Sequence, residues 1–339
     1  GEGEGEGEGE GEGEGEGEAP TPIGVSIASG SFIMGRPDSE PGAPSEVPEH
    51  PVNLDSYWIG RYEITNQQFA EILNWAYAQG YLRNSDGGTY QGGSVYAYGQ
   101  LLAYTYASAS TSSIVFENGG FNIQYREGAG GLLYSMANHP VVEVTWYGAV
   151  AYCNWLSEAF GLSPCYNLAT WERYTPVRNG YRLPTEAEWE RAAAWDGNRH
   201  WRYGFGSDEI DASRANLYLP PDENPLGLST YPETTPIGWF DGINTGPDNG
   251  VATQNSPSPV GCYDMSGNVW EWCQDWFAED YYVISPDTNP AGPATGQYRV
   301  VRGGSWSTFA DTCRTVFRLG NSEPGSTSYA YGFRVARSE

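Results

Sequence analysis

The chain of 339 residues carries 45 glycines and 23 prolines, and this punctuation is what most limits its fold. Glycine loosens the backbone and proline removes a donor, so long regular elements survive only where both are sparse. Three windows meet that condition. The first follows Thr65, whose hydroxyl can cap the amide of Gln68, with Phe69, Ile72, Leu73 and Ala76 at helical spacing. The second follows Thr145 in TWYGAVAYCNWLSEAFG, with Val150, Trp155 and Leu156 inward and Gly161 just past its end. The third is TEAEWERAAAW, where Thr185 and Glu188 form a capping box. Short β-like pieces stand between and after them: VSIASGSFIMG, YWIGRYEI, QYRVVRGGSW and YGFRVAR. Residues 84–136 and 207–259 show no periodicity, and loops of that length inside a domain usually carry function or are held by ions or disulfides. The expected class is α+β with little regular structure and long loops.

Aromatic residues supply the burial that helices and sheets do not. They make up 14% of the chain, with 13 Trp and 25 Tyr. Residues 1–18 are nine Gly-Glu repeats without an apolar side chain, so they cannot offset the entropy of ordering. We divide the chain into this acidic tail, 1–18, and one domain, 19–339. Alone, the tail is expected to be a disordered linker. In an extended chain all its glutamates would share one face, which would suit filament-type self-assembly if calcium or protons offset their repulsion.

The net charge is −26, and every basic residue is Arg. Such a body repels phosphate backbones, which excludes nucleic acid and anionic lipid as partners. Without Lys there is neither a P-loop nor a Schiff base. No apolar run is long enough to span a bilayer, and an opening at Gly1 would fit a processed N-terminus. His50, His139 and His200 are far apart, and the cysteines at 153, 165, 262, 273 and 313 form no CxxC pair, so no local zinc motif exists. An extracellular setting would allow two disulfides, with Cys153–Cys165 and Cys273–Cys313 as the expected pairs.

Seven segments fall in order from about residue 30 to 337: GSFIMG, EHPVNLDSYWIGRYEITNQQF, HPVVEVTWYGAVAYCNWLSE, GYRLPTEAEWERAA, GCYDMSGNVWEWCQDW, RVVRGGSW and YGFRVAR. Together they resemble the formylglycine-generating enzyme, or sulfatase-modifying-factor, family. The resemblance implies a variant of the C-type lectin fold. It is less specific for activity, because that fold serves oxidases, iron enzymes and non-catalytic binding proteins alike.

DMSGNVWE places Asp264, Gly267, Val269 and Glu271 so that two carboxylates and two carbonyls can converge on a hard cation. The alternative is a turn in which Asp264 and Glu271 cap backbone amides. By resemblance these positions match a calcium site, and Asn216 with the Leu217 carbonyl matches another, with Asp222 as a substitute for its missing Asp. RLPTEAEWE reads as a capped helix with Trp189 inward, and Arg61 with Glu63 as a structural ion pair.

The family's cysteine oxidases bind copper through two thiolates five residues apart, just after a GGS turn. Here that turn is Gly303-Gly304-Ser305, the second cysteine falls on Cys313, and the first falls on Thr308. A hydroxyl is not a Cu(I) ligand, so copper is not expected. A remnant pocket is expected at Cys313, Ser305, Trp270 and Thr308. An iron enzyme would need a histidine cluster that this chain lacks.

The expected function is therefore a secreted or surface-exposed, calcium-stabilised, non-catalytic structural or adhesive protein, its partner either itself or a cell-surface glycan or protein. Phe309, Phe317, Tyr329 and Tyr331 are the candidate ligand-contacting residues. The alternatives are an oxidoreductase of the same superfamily, including a relative of the pyoverdine-maturation proteins, and a lectin-like binding module.

Overall fold

A computed structural model describes residues 21–220 and 224–339; the Gly-Glu tail and Asp222 lie outside them. All three expected helices are present. α1 (Asn66–Ala78) and α3 (Glu186–Ala194) each begin with a complete capping box, Thr65 with Gln68 and Thr185 with Glu188. α2 (Trp146–Ala159) is capped by the Thr145 hydroxyl on the amide of Gly148. Each box satisfies amides that the first turn leaves without intrahelical partners.

The four β-like segments also form strands. Gly24–Ile27 and Ala336–Ser338 flank Tyr57–Gly60 in a three-stranded antiparallel sheet, which ties the two ends of the described chain together. Gly30–Met34 pairs with His50–Leu54. The largest sheet has the order Leu319–Ser322, Arg299–Arg302, Trp270–Trp276, Tyr331–Gly332. Its strand Trp270–Trp276 comes from the WEWCQDW run, which the sequence reading left unassigned beyond Glu271. A strand buried on both faces has no alternation to reveal it.

The 84–136 stretch is not structureless. It holds three hairpins: Val95–Ala97 with Gln100–Ala103, Ile114–Glu117 with Gly120–Ile123, and Tyr125–Glu127 with Leu133–Ser135. Strands of three or four residues are too short to show a period of two. The 207–259 stretch contributes only isolated bridges among its described residues.

Tryptophans fill the centre. Trp146, Trp155, Trp189 and Trp272 are fully buried. Three of them direct their ring N–H at a fixed acceptor: Trp146 at the Cys273 carbonyl (3.0 Å), Trp272 at the Val144 carbonyl (3.1 Å) and Trp189 at Glu271 (2.8 Å). Buried arginines hold the remaining charge. On α3, Glu186 pairs with Arg318 (2.7 Å), Glu188 with Arg182 (2.6 Å) and Glu190 with Arg302. Guanidinium matches carboxylate with two parallel bonds, which suits a chain whose only strong cation is Arg.

All five cysteines are buried free thiols, so neither expected disulfide forms. Cys165 instead directs its Sγ at the carbonyls of Arg178 and Gly180. Cys273 and Cys313 belong to different side-chain clusters.

Asp275, whose Oδ2 accepts the Glu186 amide at the start of α3 (2.9 Å), is pushed up to about 7 by burial and then by the Glu186 charge. The folded protein thus holds this proton more tightly than the unfolded chain does. The group's stabilisation is complete below its unfolded pKa, roughly 4, and is lost as pH rises through about 7. Asp275→Asn keeps the acceptor and removes the charge. Chemical unfolding should show it more stable than wild type at pH 8, by on the order of 2–4 kcal/mol, with the difference vanishing below pH 4.

Candidate functional site

The Arg299–Arg302 strand runs directly into the Gly303-Gly304-Ser305 turn. Gly303 and Gly304 have φ of +94° and +76°, which side chains other than glycine rarely adopt. Gly304 is also required by space, because a Cβ there would lie 2.5 Å from the Cys313 sulfur. The turn is locked by Thr308. Its Oγ1 accepts the Ser305 amide (2.9 Å) and donates to the Ser305 carbonyl (3.1 Å).

Thr308 and Cys313 meet as the family resemblance implies, with Oγ1 3.8 Å from Sγ. Cys313 is fully buried among Tyr203, Phe205, Ala215 and Leu217. Burial pushes its thiol up to about 12, against weaker lowering by hydrogen bonds from Thr308, Ser305 and Thr312. At neutral pH this keeps the sulfur a protonated thiol rather than a thiolate in the metal-free protein. Ser305 lies in the same turn, and its hydroxyl is 3.1 Å from that of Ser307. Trp270 does not join them: it belongs to the main core, with its ring 5.8 Å from Phe317.

The four predicted ligand-contacting aromatics divide in two. Tyr331 packs on Trp272 and accepts a bond from Ser322, and Phe317 packs on Trp270, so both support the core. Phe309 is 63% exposed and stands edge-on to Tyr218. Tyr329 is 40% exposed and belongs to a triad that the sequence reading missed. Its ring lies 5.7 Å from Tyr231 and 5.6 Å from Trp306, and those two are 5.1 Å apart. Tyr231 is 53% exposed. It sits in the aperiodic 207–259 stretch, where no local pattern marks it. Beside it opens a cleft of about 440 Å³ lined by Tyr106, Thr111, Arg126, Thr230 and Glu233.

The expected metal ligands are held in other ways. Both Glu271 oxygens are bound by Arg334 (2.6 Å each), and one also takes the Trp189 N–H (2.8 Å). Asp264 Oδ2 accepts the Gly238 amide (2.7 Å), which is the amide-capping alternative for that residue. Burial pushes Asp264 up to about 6. Gly267 (φ +99°) brings this turn against Asn216, whose carbonyl would be 2.3 Å from any Cβ at 267 and accepts the Asn268 amide (2.8 Å). Among the described residues, no group of three or more His, Cys, Asp and Glu is placed to hold a metal ion. The Asp264–Glu271 set therefore does not fit calcium, because its strongest donor is already committed. The Asn216 set fits better, since Asn216 Oδ1 is buried without a partner.

Arg61 and Glu63 do not pair. Glu63 Oε2 accepts from Asn268 (2.9 Å), while Arg61 offers its carbonyl to Arg334 and its Nε has no partner. Burial holds the Glu63 carboxyl well above its usual range, reinforced by Asp264 and Glu271.

The sequence matches the family model of the sulfatase-modifying factor enzyme 1-like domain over residues 12–339. The chain belongs to this family. A formylglycine-generating enzyme of Streptomyces coelicolor is 32% identical over 328 residues, covering 92% of this chain and 88% of the relative. A serine/threonine-protein kinase pkn1 of Chlamydia pneumoniae is 34% identical over 315 residues; the match covers 92% of this chain but only 37% of that protein. Among solved structures, PvdO from Pseudomonas aeruginosa is 25% identical with TM-score 0.60, covering 94% of this chain and 95% of PvdO. Treponema denticola variable protein 1 is 24% identical with TM-score 0.57, covering 93% and 95%, a likeness that shows the fold alone. The fold is the family's variant of the C-type lectin fold.

In the folded protein, a thiol-reactive dye should label none of the five cysteines within minutes at pH 7.5, and all five after denaturation without reductant. Fewer than five in the denatured state would restore a disulfide.

Proposed function

We propose that this domain is a non-catalytic binding module of the sulfatase-modifying-factor family, serving an adhesive or structural role. The observation that carries the reading is the hydroxyl of Thr308, which faces Cys313 where the resemblance calls for a second thiolate. Copper(I) needs two soft ligands at this place, and here one is oxygen and the other a buried, protonated thiol. Thr308 also locks the turn through the Ser305 backbone, so the position has a structural use.

Tyr231, Trp306 and Tyr329 provide the binding surface. Rigid aromatic rings offer contact area at little entropic cost, and the polar cleft beside Tyr231 supplies hydrogen-bonding groups. A cell-surface glycan or protein suits this combination. Calcium, where bound, would be held through Asn216 Oδ1 and the Leu217 carbonyl, where it would stabilise the 216–217 loop against the 264–271 turn. The cysteines give no argument for an oxidising compartment, since all five are unpaired.

The test is adhesion of the purified chain to a glycan array and to arrayed surface proteins, for wild type and Tyr231→Ser/Tyr329→Ser, with and without prior EGTA treatment. The double variant should lose at least tenfold in binding at unchanged melting temperature, and EGTA should lower the melting temperature of both proteins. Equal binding by the double variant would refute the aromatic surface; an unchanged melting temperature after EGTA would refute the calcium site.

A further inference from the structure

Arg299 stands apart from the other buried arginines. Arg36, Arg182, Arg302, Arg314, Arg318 and Arg334 each reach a carboxylate, and Arg126 spends its donors on neutral oxygens of the 110–113 segment and Thr230. Arg299 is only 6% exposed, yet it makes a single hydrogen bond, Nη1 to the Gln274 carbonyl (2.7 Å). Its Nε is buried without a partner. A buried cation left in this state is costly unless something satisfies it.

The guanidinium is clamped between two indoles, its carbon 3.7 Å from the Trp146 ring centroid and 3.4 Å from that of Trp276. The rings fix its plane, so the Nε–Nη2 edge keeps one orientation. Arg299 lines a cleft of about 430 Å³ whose wall also includes Trp171, Trp276, Thr170, Thr175 and Thr295. Arg173 and Glu172 both line this cleft, and their opposite charges offset one another. The buried carboxyl beside Arg299 is Asp275, which is itself pushed up to about 7 and accepts the Glu186 amide. It is a weak counter-charge at neutral pH.

We infer that this cleft binds the carboxylate of an acidic sugar, with Arg299 as the anchoring cation. A planar carboxylate fits the free fork edge of a guanidinium whose plane is fixed. A single negative charge is tolerated by a chain of net charge −26 better than a phosphate dianion is. The indole walls suit the apolar face of a pyranose ring, and the three threonine hydroxyls suit its hydroxyl groups. The cleft shares no lining residue with the Tyr231–Trp306–Tyr329 surface or with the cleft beside it.

The experiment titrates the full chain with N-acetylneuraminic acid and with galacturonic acid, each alongside its methyl ester, and with inorganic phosphate and an amidated Asp-Glu dipeptide. The readouts are tryptophan fluorescence, since Trp146 and Trp276 flank the guanidinium, and calorimetry. At least one free acid should bind saturably, and at least tenfold more tightly than its ester, phosphate or the dipeptide. Arg299→Lys, which keeps the charge but loses the fork, should weaken it at least tenfold. Thr295→Trp, on an exposed loop, should block the cleft without touching Arg299, so the inference stays testable if the arginine variant does not fold. Tyr231→Ser/Tyr329→Ser should bind the acid as wild type does, which separates this site from the adhesive surface. No saturable binding, equal binding of ester or phosphate, preference for the dipeptide, or unaltered binding by Thr295→Trp would each overturn the inference.

Discussion

The structure depends on burying carboxylates, and it can do so only because arginines from distant segments meet them. Helix α3 presents Glu186, Glu188 and Glu190 inward, and Arg318, Arg182 and Arg302 each take one. Arg334 does the same for Glu271 on the Trp270–Trp276 strand, with the Trp189 N–H completing the set. These partners lie between 6 and 132 residues apart in sequence. Removing one partner of such a pair typically costs about 3–5 kcal/mol, because the other charge is left uncompensated. In a protein with so little regular structure, the pairs fix how the loops pack as much as the tryptophans do. Replacing a buried pair by apolar residues of equal volume is often neutral or stabilising, so the pairs are no measure of extra stability.

That frame delivers the Gly303–Cys313 turn as a finished piece of backbone. Arg302, the last residue of its strand, is anchored to Glu190 and to the carbonyls of Thr315 and Phe317, so the turn leaves the sheet from a fixed point. Gly304 then seats directly over the Cys313 sulfur. The result is a turn with its sulfur sealed and its neighbouring hydroxyl committed to the backbone. Around this turn Phe309, Tyr231 and Tyr329 remain exposed. Exposed rings presented from loops on a rigid scaffold suit the binding role proposed for this domain.

Local signals were legible and long-range ones were not. The three helices could be read because capping chemistry and apolar spacing sit within four residues of each other, as at Thr65–Gln68 and Thr185–Glu188. The meeting of Thr308 with Cys313 was legible only through the family resemblance, which aligned both positions with a copper-binding pair after the glycine turn. The Trp270–Trp276 strand escaped because both of its faces are buried, and the hairpins of 84–136 because they are too short to show a period. Partner choice was the least legible feature. Glu63 was assigned to Arg61, its neighbour in sequence, whereas the structure gives it Asn268, 205 residues away. Glu271 was assigned to a cation, and the cation proves to be the guanidinium of Arg334. Tyr231 and Arg299 become meaningful only once the folded chain supplies their neighbours.

The central claim is that this member of the family keeps the scaffold without the cysteine-oxidising reaction. It is tested most directly by incubating the copper-supplied protein with a cysteine-containing sulfatase-type peptide in air and following the peptide by mass spectrometry, with an active family member as the positive control. The account predicts that the peptide mass stays unchanged while the control converts its cysteine to an aldehyde. Turnover by this chain that disappears in Cys313→Ala would contradict it.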